Sequence, residues 1–162
     1  MYANNKNKES MGLENLTINS SETKKLGKLF SQDILKYSSK KQAVIIGLEG
    51  NLGSGKTCFL QGFASGLGIK EKITSPTFVI MKKYKLNDKK ISFSYFYHID
   101  CYRIKRSEEL LHLNFKEIYS NPKNIISIEW ANQVKNVLPK QHINIKFKFI
   151  DKNKRKIKFS NI

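Results

Sequence analysis

The sequence predicts an α/β fold: a mixed sheet, parallel at its centre and antiparallel at its edges, flanked by helices. Three features carry this expectation. The run Ala43-Val44-Ile45-Ile46-Gly47-Leu48 is short and almost wholly apolar, as suits a strand covered on both faces. A Gly-rich segment follows at once, then apolar residues at helical spacing. A second such run, Asn124-Ile125-Ile126-Ser127-Ile128, ends on Glu129. Near the end of the chain Ile143, Ile145, Phe147 and Phe149 alternate with polar residues, and the turn Asp151-Lys152-Asn153-Lys154 leads into a last strand near 155–159.

The remaining elements follow in chain order. Residues 1–14 are polar with isolated hydrophobes and are expected to form a frayed or disordered tail, leaving 15–162 as one domain. Leu16-Thr17-Ile18 alternates and predicts a short strand. Asn19-Ser20-Ser21 offers capping side chains, and Leu26, Leu29, Phe30 and Ile34 recur at helical spacing, which predicts an amphipathic helix over 22–37. Phe59, Leu60, Phe63 and Leu67 predict a helix after the Gly-rich segment, ended by Gly66 or Gly68. Residues 77–84 and 91–99 predict an antiparallel hairpin across the polar turn 85–90. Ser107 is a candidate cap for a helix opened by Glu108 and Glu109 and carried by Leu110, Leu111 and Ile118. Residues 131–138 predict a helical turn stopped by Pro139.

Composition narrows the function classes. At 162 residues, 40% hydrophobic and 27% charged, the chain is of the globular kind. No stretch approaches the roughly 20 apolar residues of a membrane span. The first residues carry no apolar segment after their charges, so no secretory signal is read and a cytoplasmic location is expected. Cys58 and Cys101 are not at zinc or CxxC spacing, and His98, His112 and His142 have no second ligand at metal spacing; reduced thiols are expected. His98, two residues from Asp100, is expected to shape the loop there. The net charge of +17 is almost all lysine, the arginines being Arg103, Arg106 and Arg155. Such a charge favours anionic partners, but abundant Lys, Asn and Ile equally suit compositional drift. Both explanations stand at this level.

The segment Gly50-Asn51-Leu52-Gly53-Ser54-Gly55-Lys56-Thr57 fits G-x-x-x-x-G-K-[ST] at every fixed position. Each residue type answers a physical demand. The glycines allow a backbone path that a Cβ would oppose. Their N–H groups then surround a phosphate, and the helix that follows adds its free N-terminal N–H groups and positive dipole end. Lys56 supplies an ammonium for the β- and γ-phosphates and Thr57 a hydroxyl for Mg²⁺. Strand, loop and helix in this order predict a P-loop NTPase fold that binds ATP with Mg²⁺. Hydrolysis needs in addition a carboxylate from the end of another strand. Asp100, after 91–99, and Glu129, after 124–128, are the candidates. Ser75-Pro76-Thr77 is either an ordinary turn or a loop that senses the γ-phosphate.

These segments together resemble the TsaE (YjeE) family of bacterial P-loop ATPases. The likeness runs from about Thr17 to Phe149. It rests on the P-loop, Ser75-Pro76-Thr77, His98-Ile99-Asp100-Cys101-Tyr102-Arg103, Glu108-Glu109-Leu110, Ile128-Glu129-Trp130 and Val137-Leu138-Pro139, in that order. The resemblance implies a part in making N6-threonylcarbamoyladenosine at position 37 of tRNA. Family members act there beside the TsaB and TsaD proteins, whose complex their ATP hydrolysis is thought to reset. It implies Lys56, Asp100 and Glu129 as catalytic residues and Thr57 and Glu129 as Mg²⁺ ligands. Thr23, Asn51, Leu52, Gly53, Ser54, Gly55, Lys56, Thr57 and Cys58 would contact the nucleotide. Trp130 would lie beside the site and the 75–77 loop would act as a switch. The tRNA itself would be met indirectly or weakly, by a monomer or weak oligomer. The chain departs from the family at Asn51 (usually Asp), Asn114 (usually Gly) and Ala131 (usually Pro).

Other classes make different demands. A small-molecule P-loop kinase would close an Arg-bearing lid over the phosphates, and this chain has few arginines and no lid insertion. A GTPase would show an Asn/Thr-Lys-x-Asp motif after a late strand. A non-catalytic RNA-binding protein would interleave aromatic and basic residues on an exposed sheet, whereas Tyr95, Phe96 and Tyr97 have few lysines between them.

Overall fold

The computed structural model describes residues 12–37 and 41–162. One seven-stranded sheet runs through it, in the order β1-β7-β6-β2-β5-β4-β3. The strands are β1 (Glu14–Thr17), β2 (Val44–Glu49), β3 (Met81–Lys85), β4 (Tyr95–Asp100), β5 (Asn124–Glu129), β6 (Ile143–Phe149) and β7 (Arg155–Ser160). β6, β2, β5 and β4 are mutually parallel, while β3, β7 and β1 join antiparallel at the two sides. The mixed sheet read from the sequence is therefore present.

β2 is central because its residues suit both faces. Val44, Ile46 and Leu48 turn toward helices α1 (Ser20–Lys36) and α2 (Lys56–Gly66), where they join Phe30, Phe59, Phe63, Phe147 and Phe159. Ala43 and Ile45 turn the other way, among Ile126, Ile128, Leu110, Phe115 and Val134. This is the two-residue period of a strand, doubled because a layer lies on each side. The aromatic packing is dense, with the Phe30 ring 5.1 Å from Phe159 and the Phe59 ring 5.5 Å from Phe147. Such pairs add about 0.5–1.5 kcal/mol each beyond the area they bury.

α1 opens with a reciprocal cap. The Asn19 side chain accepts from the Glu22 N–H at 2.8 Å, and the Glu22 carboxylate accepts from the Ile18 N–H at 2.9 Å. α1 and α2 then cross at a distance only glycine permits. A Cβ on Gly27 would stand 2.1 Å from the Phe59 carbonyl oxygen, and one on Gly62 would stand 1.8 Å from that of Lys24. Gly66 lies equally close to Ser31, so it belongs to this crossing, and Gly68, at φ +81°, follows the end of the helix.

Several boundaries differ from the expectations. Of the expected tail 1–14, residues 1–11 lie outside the described residues; β1 already includes Glu14, and the Leu13 carbonyl accepts from the Phe159 N–H at 2.8 Å. Residues 77–80 are a turn rather than strand, because the Pro76 carbonyl accepts from the N–H groups of both Val79 and Ile80. β4 starts at Tyr95, not at 91, since buried Phe93 fastens the connection into the core instead. The helix expected after Ser107 is two short ones, α3 (Glu108–Leu111) and α4 (Phe115–Ser120), broken at Asn114 with φ 56°. A left-handed residue cannot continue an α-helix, and Asn tolerates that conformation better than most. Ser107 makes no cap; Glu109 instead accepts from the N–H groups of Lys105 and Arg106. The turn after β5 is a 3-10 segment, Ala131–Val134. Among the described residues no helix is long and apolar enough to cross a membrane.

The helix crossing gives the first prediction. Gly→Ala inside a helix ordinarily stabilises by about 0.5–1 kcal/mol. Gly62→Ala should instead destabilise, by about 1–3 kcal/mol as overpacking does, and should lower the urea midpoint. An unchanged or higher midpoint would show that the helices are free to separate.

Candidate functional site

The loop between β2 and α2 departs from ordinary backbone at its three glycines, with φ 150° at Gly50, 75° at Gly53 and 102° at Gly55. Gly50 is also closely pressed: a Cβ there would meet the Phe147 carbonyl oxygen at 2.6 Å and Ser54 Oγ at 2.7 Å. Gly55 is the residue before α2 and provides no side-chain cap. The first N–H groups of α2 therefore have no partner from a capping side chain, and they face a cleft of about 630 Å³. That volume lies within the usual range of small-molecule sites, about 300–1,000 Å³.

Lys56 is the loop's charged centre and is only 5% exposed. Its Nζ donates to the carbonyl oxygens of Gly50 at 2.6 Å and Asn51 at 3.0 Å, and it lies 4.2 Å from the centre of the Trp130 ring. Burial pulls the ammonium's pKa down, and the charges of Glu129 and Asp100 offset part of that effect. A buried cation without a full counter-charge is a receptor for an anion.

Both carboxylates come from neighbouring parallel strands in register, Asp100 on β4 opposite Glu129 on β5. Glu129 is 3% exposed and accepts from Thr57 Oγ1 at 3.1 Å through one oxygen and 3.0 Å through the other. His98 Nε2 stands 2.8 Å from Oε1 of the same carboxylate. Asp100 serves a separate set. Its Oδ2 accepts from the hydroxyls of Ser75 and Thr77, the latter at 2.9 Å, and its Oδ1 accepts from the Tyr102 N–H at 2.8 Å. The 75–77 loop is thereby latched onto the end of β4, which an ordinary turn would not require. Backbone strain sits beside both acids. Ile80, with φ 62°, accepts from the Asp100 N–H through its carbonyl, and Trp130, with φ 59°, follows Glu129. Non-glycine residues in this region cost about 1–3 kcal/mol each and gather at functional sites.

Of the residues predicted from sequence, Thr23, Leu52, Gly53, Ser54, Gly55, Lys56, Thr57, Cys58, Asp100 and Glu129 line this one cleft, with Ser75, Thr77 and Trp130. Asn51 does not; it is exposed and joins the site only through its carbonyl. Thr23 is held by a hydroxyl contact of 2.8 Å to Thr17. The expectation that His98 shapes a loop is corrected: it is a buried strand residue held against Glu129. The spacing was the available signal, since His98 and Asp100 two apart on a strand share a face. Arg155, Lys152, Asn153 and Tyr102 also line the cleft and were missed. The stem of Arg155 comes within 3.6 Å of where a Gly55 Cβ would be, while Arg103 lies over the Phe78 ring at 4.4 Å. Nothing near Arg155 in sequence signals this, because the β6–β7 hairpin carries it there.

Among the described residues no group of three His, Cys, Asp or Glu side chains converges as a metal cage. One hydroxyl and one carboxylate, adjacent and oxygen-bearing, instead suit a hard cation that keeps waters and takes other ligands from a phosphate.

The two thiols differ in setting. Cys58 is half-buried at the cleft and its pKa is raised by burial, with Lys24 and Arg155 opposing. Cys101 is fully buried and pushed up from 9.0 to about 12, first by burial and then by Asp100. Folding thus holds the Cys101 proton more tightly than the unfolded chain does. That contribution to stability is complete below pH 9.0 and is lost as pH climbs toward about 12. At pH 8 an alkylating reagent should label Cys58 in the native protein and reach Cys101 only with denaturant, as peptide mass spectrometry would read. Equal native labelling of both would contradict this packing.

The same chain matches the family model described as "Threonylcarbamoyl adenosine biosynthesis protein TsaE" over residues 17–157. It is 36% identical to the tRNA threonylcarbamoyladenosine biosynthesis protein TsaE of Bacillus subtilis over 146 residues, covering 90% of this chain and 84% of that protein. It is 38% identical to the protein of the same name in Rickettsia typhi, covering 86% of this chain and 89% of the relative. The crystal structure of B. subtilis YdiB superposes with a TM-score of 0.66 at 33% identity, over 91% of this chain and 84% of that one. A mixed sheet with a P-loop at its centre and a family match across most of its length lead to one conclusion: this chain belongs to the TsaE family.

Proposed function

We propose that this protein binds ATP with Mg²⁺ and hydrolyses it in support of threonylcarbamoyladenosine formation on tRNA, beside a TsaB–TsaD-type complex. One observation carries the chemical part. The Thr57 hydroxyl and the Glu129 carboxylate meet at 3.0–3.1 Å directly beyond the loop whose buried ammonium is held by main-chain carbonyls.

Each residue then has a defined task. The loop amides and the N-terminal N–H groups of α2 donate to the phosphate oxygens. Lys56, now spending its protons on the carbonyls of Gly50 and Asn51, can turn them to the β- and γ-phosphates. Thr57 and Glu129 would hold Mg²⁺, which when bound neutralises charge on those phosphates. His98 fixes the Glu129 carboxylate from behind. Asp100 orients the attacking water and keeps the 75–77 loop over the cleft through Ser75 and Thr77. Trp130 covers Lys56 and excludes water from one side. The tRNA-modifying role is supported by the relatives' names, which state threonylcarbamoyladenosine biosynthesis. The scarcity of arginine favours hydrolysis over transfer to a small acceptor. Arg155 is the arginine lining the cleft among the described residues, and its Nη1 donates to the carbonyls of Asp151 and Lys154. A site short of a free arginine should turn over slowly alone.

Purified protein with γ-labelled ATP should release free phosphate slowly and faster once a TsaB–TsaD complex is added. Lys56→Ala should lose ATP binding with its fold intact by circular dichroism, whereas Glu129→Ala should lose Mg²⁺-dependent turnover by 10²-fold or about that, the order of losing one electrostatic contact. Label found on an acceptor instead of in water would establish a kinase. Displacement of bound ATP by equimolar GTP would remove the adenine assignment.

A further inference from the structure

A second concavity lies away from the cleft, between the exposed side of α1, the surface of α2 and the segment after Gly68, with a volume of about 740 Å³. Five lysines line it: Lys24, Lys25, Lys28, Lys70 and Lys72, against one acid, Glu71. All five are exposed, and among the described residues none of their ammonium groups has an ion pair or hydrogen bond. Like charges so gathered repel one another at a cost to folding. The fold brings them together because Gly62 and Gly66 let α1 settle onto α2, so that the backbones of Lys24 and Lys28 lie against those glycines.

We propose that this lysine groove binds the phosphodiester backbone of an RNA. Lys24 and Lys28 are one helical turn apart, with Cβ atoms about 5–6 Å from each other, a spacing comparable with that of successive phosphates on a strand. Lysine binds phosphate as a point charge without demanding planar geometry. Among the described residues no aromatic side chain lines the groove, so bases are not stacked and sequence is not read there. A bilayer surface is disfavoured because the lysines lie in a hollow with no exposed large apolar residue among its lining to insert. Lys24 also reaches toward the first site, since its charge acts on Cys58 in the cleft wall. The phosphate chemistry of the groove stands independently of the proposed ATPase; the choice of RNA as its source rests on that reading's tRNA pathway.

The test uses the full chain and a fluorescent tRNA transcript, with anisotropy read across salt concentrations. Lys25→Ala, Lys28→Ala, Lys70→Ala and Lys72→Ala are combined in one variant, leaving Lys24 because of its reach to Cys58. A control variant removes the same charge elsewhere, at Lys85, Lys89, Lys90 and Lys116, all exposed. The groove variant should bind at least 10-fold more weakly, with a slope of log K on log salt reduced by about 2.8 to 3.6, as expected for four lost phosphate contacts at about 0.7–0.9 each. The control should keep the parent slope. Equal loss in both variants would mean that the total charge alone binds, and no loss in either would place binding elsewhere; both overturn the proposal. So would polyglutamate displacing the RNA as well as unlabelled tRNA does. Lys56→Ala should keep tRNA binding while losing ATP, so failure of the groove and failure of the nucleotide site are read separately.

Discussion

A buried ammonium organises this molecule. Lys56 is 5% exposed, and a cation taken from water is tolerated only where partners surround it. Here they come from four places: the carbonyls of the loop, the Trp130 ring, Glu129 and Asp100. Gathering them requires β2, β5 and β4 to be adjacent, parallel and in register, so that their ends supply a loop and two acids at one level. The parallel order in turn requires long crossings over the sheet, which the helices provide. The site and the topology are thus two descriptions of one constraint.

The acids are kept apart in task although they are neighbours. Glu129 is turned toward Thr57 and His98, Asp100 toward Ser75, Thr77 and the Tyr102 amide. One carboxylate is thereby tied to the helix that carries the phosphate loop, the other to a segment bearing a strained Ile80. Two side chains thus tie the Gly-rich loop's helix and the 75–80 loop to adjacent strand ends. The 75–80 loop carries Phe78 and Val79, both strongly exposed, with Arg103 over the Phe78 ring.

The close crossing of α1 and α2 sets the other half of the architecture. Gly27, Gly62 and Gly66 remove the side chains that would hold the helices apart, and Phe30 can then reach Phe59, Phe63 and Phe159. The same approach brings Thr23 to the cleft on one side and lines up the lysines on the other. One packing contact therefore serves both concavities.

Much of this was legible beforehand where the determinants are local. The P-loop spacing, the short apolar runs of β2 and β5, and the Asn19 cap announce themselves because dihedral preference, capping and two-face burial act on adjacent residues. The acids at the strand ends could be named, but not their separate partners. The extra strand length assigned to 77–80 and the unbroken helix after Ser107 failed on local backbone, a turn closed on the Pro76 carbonyl and a left-handed Asn114, whereas the loop role given to His98 failed on a contact from afar, the Glu129 carboxylate. By itself the sequence determined the fold class, the phosphate loop and the family, since these reside in patterns of neighbouring residues. Only the tertiary structure decided that Arg155 faces the cleft, that three glycines form a helix crossing and that five lysines share a groove. Those arrangements join residues distant in the chain, and nothing short of the packed sheet brings them together.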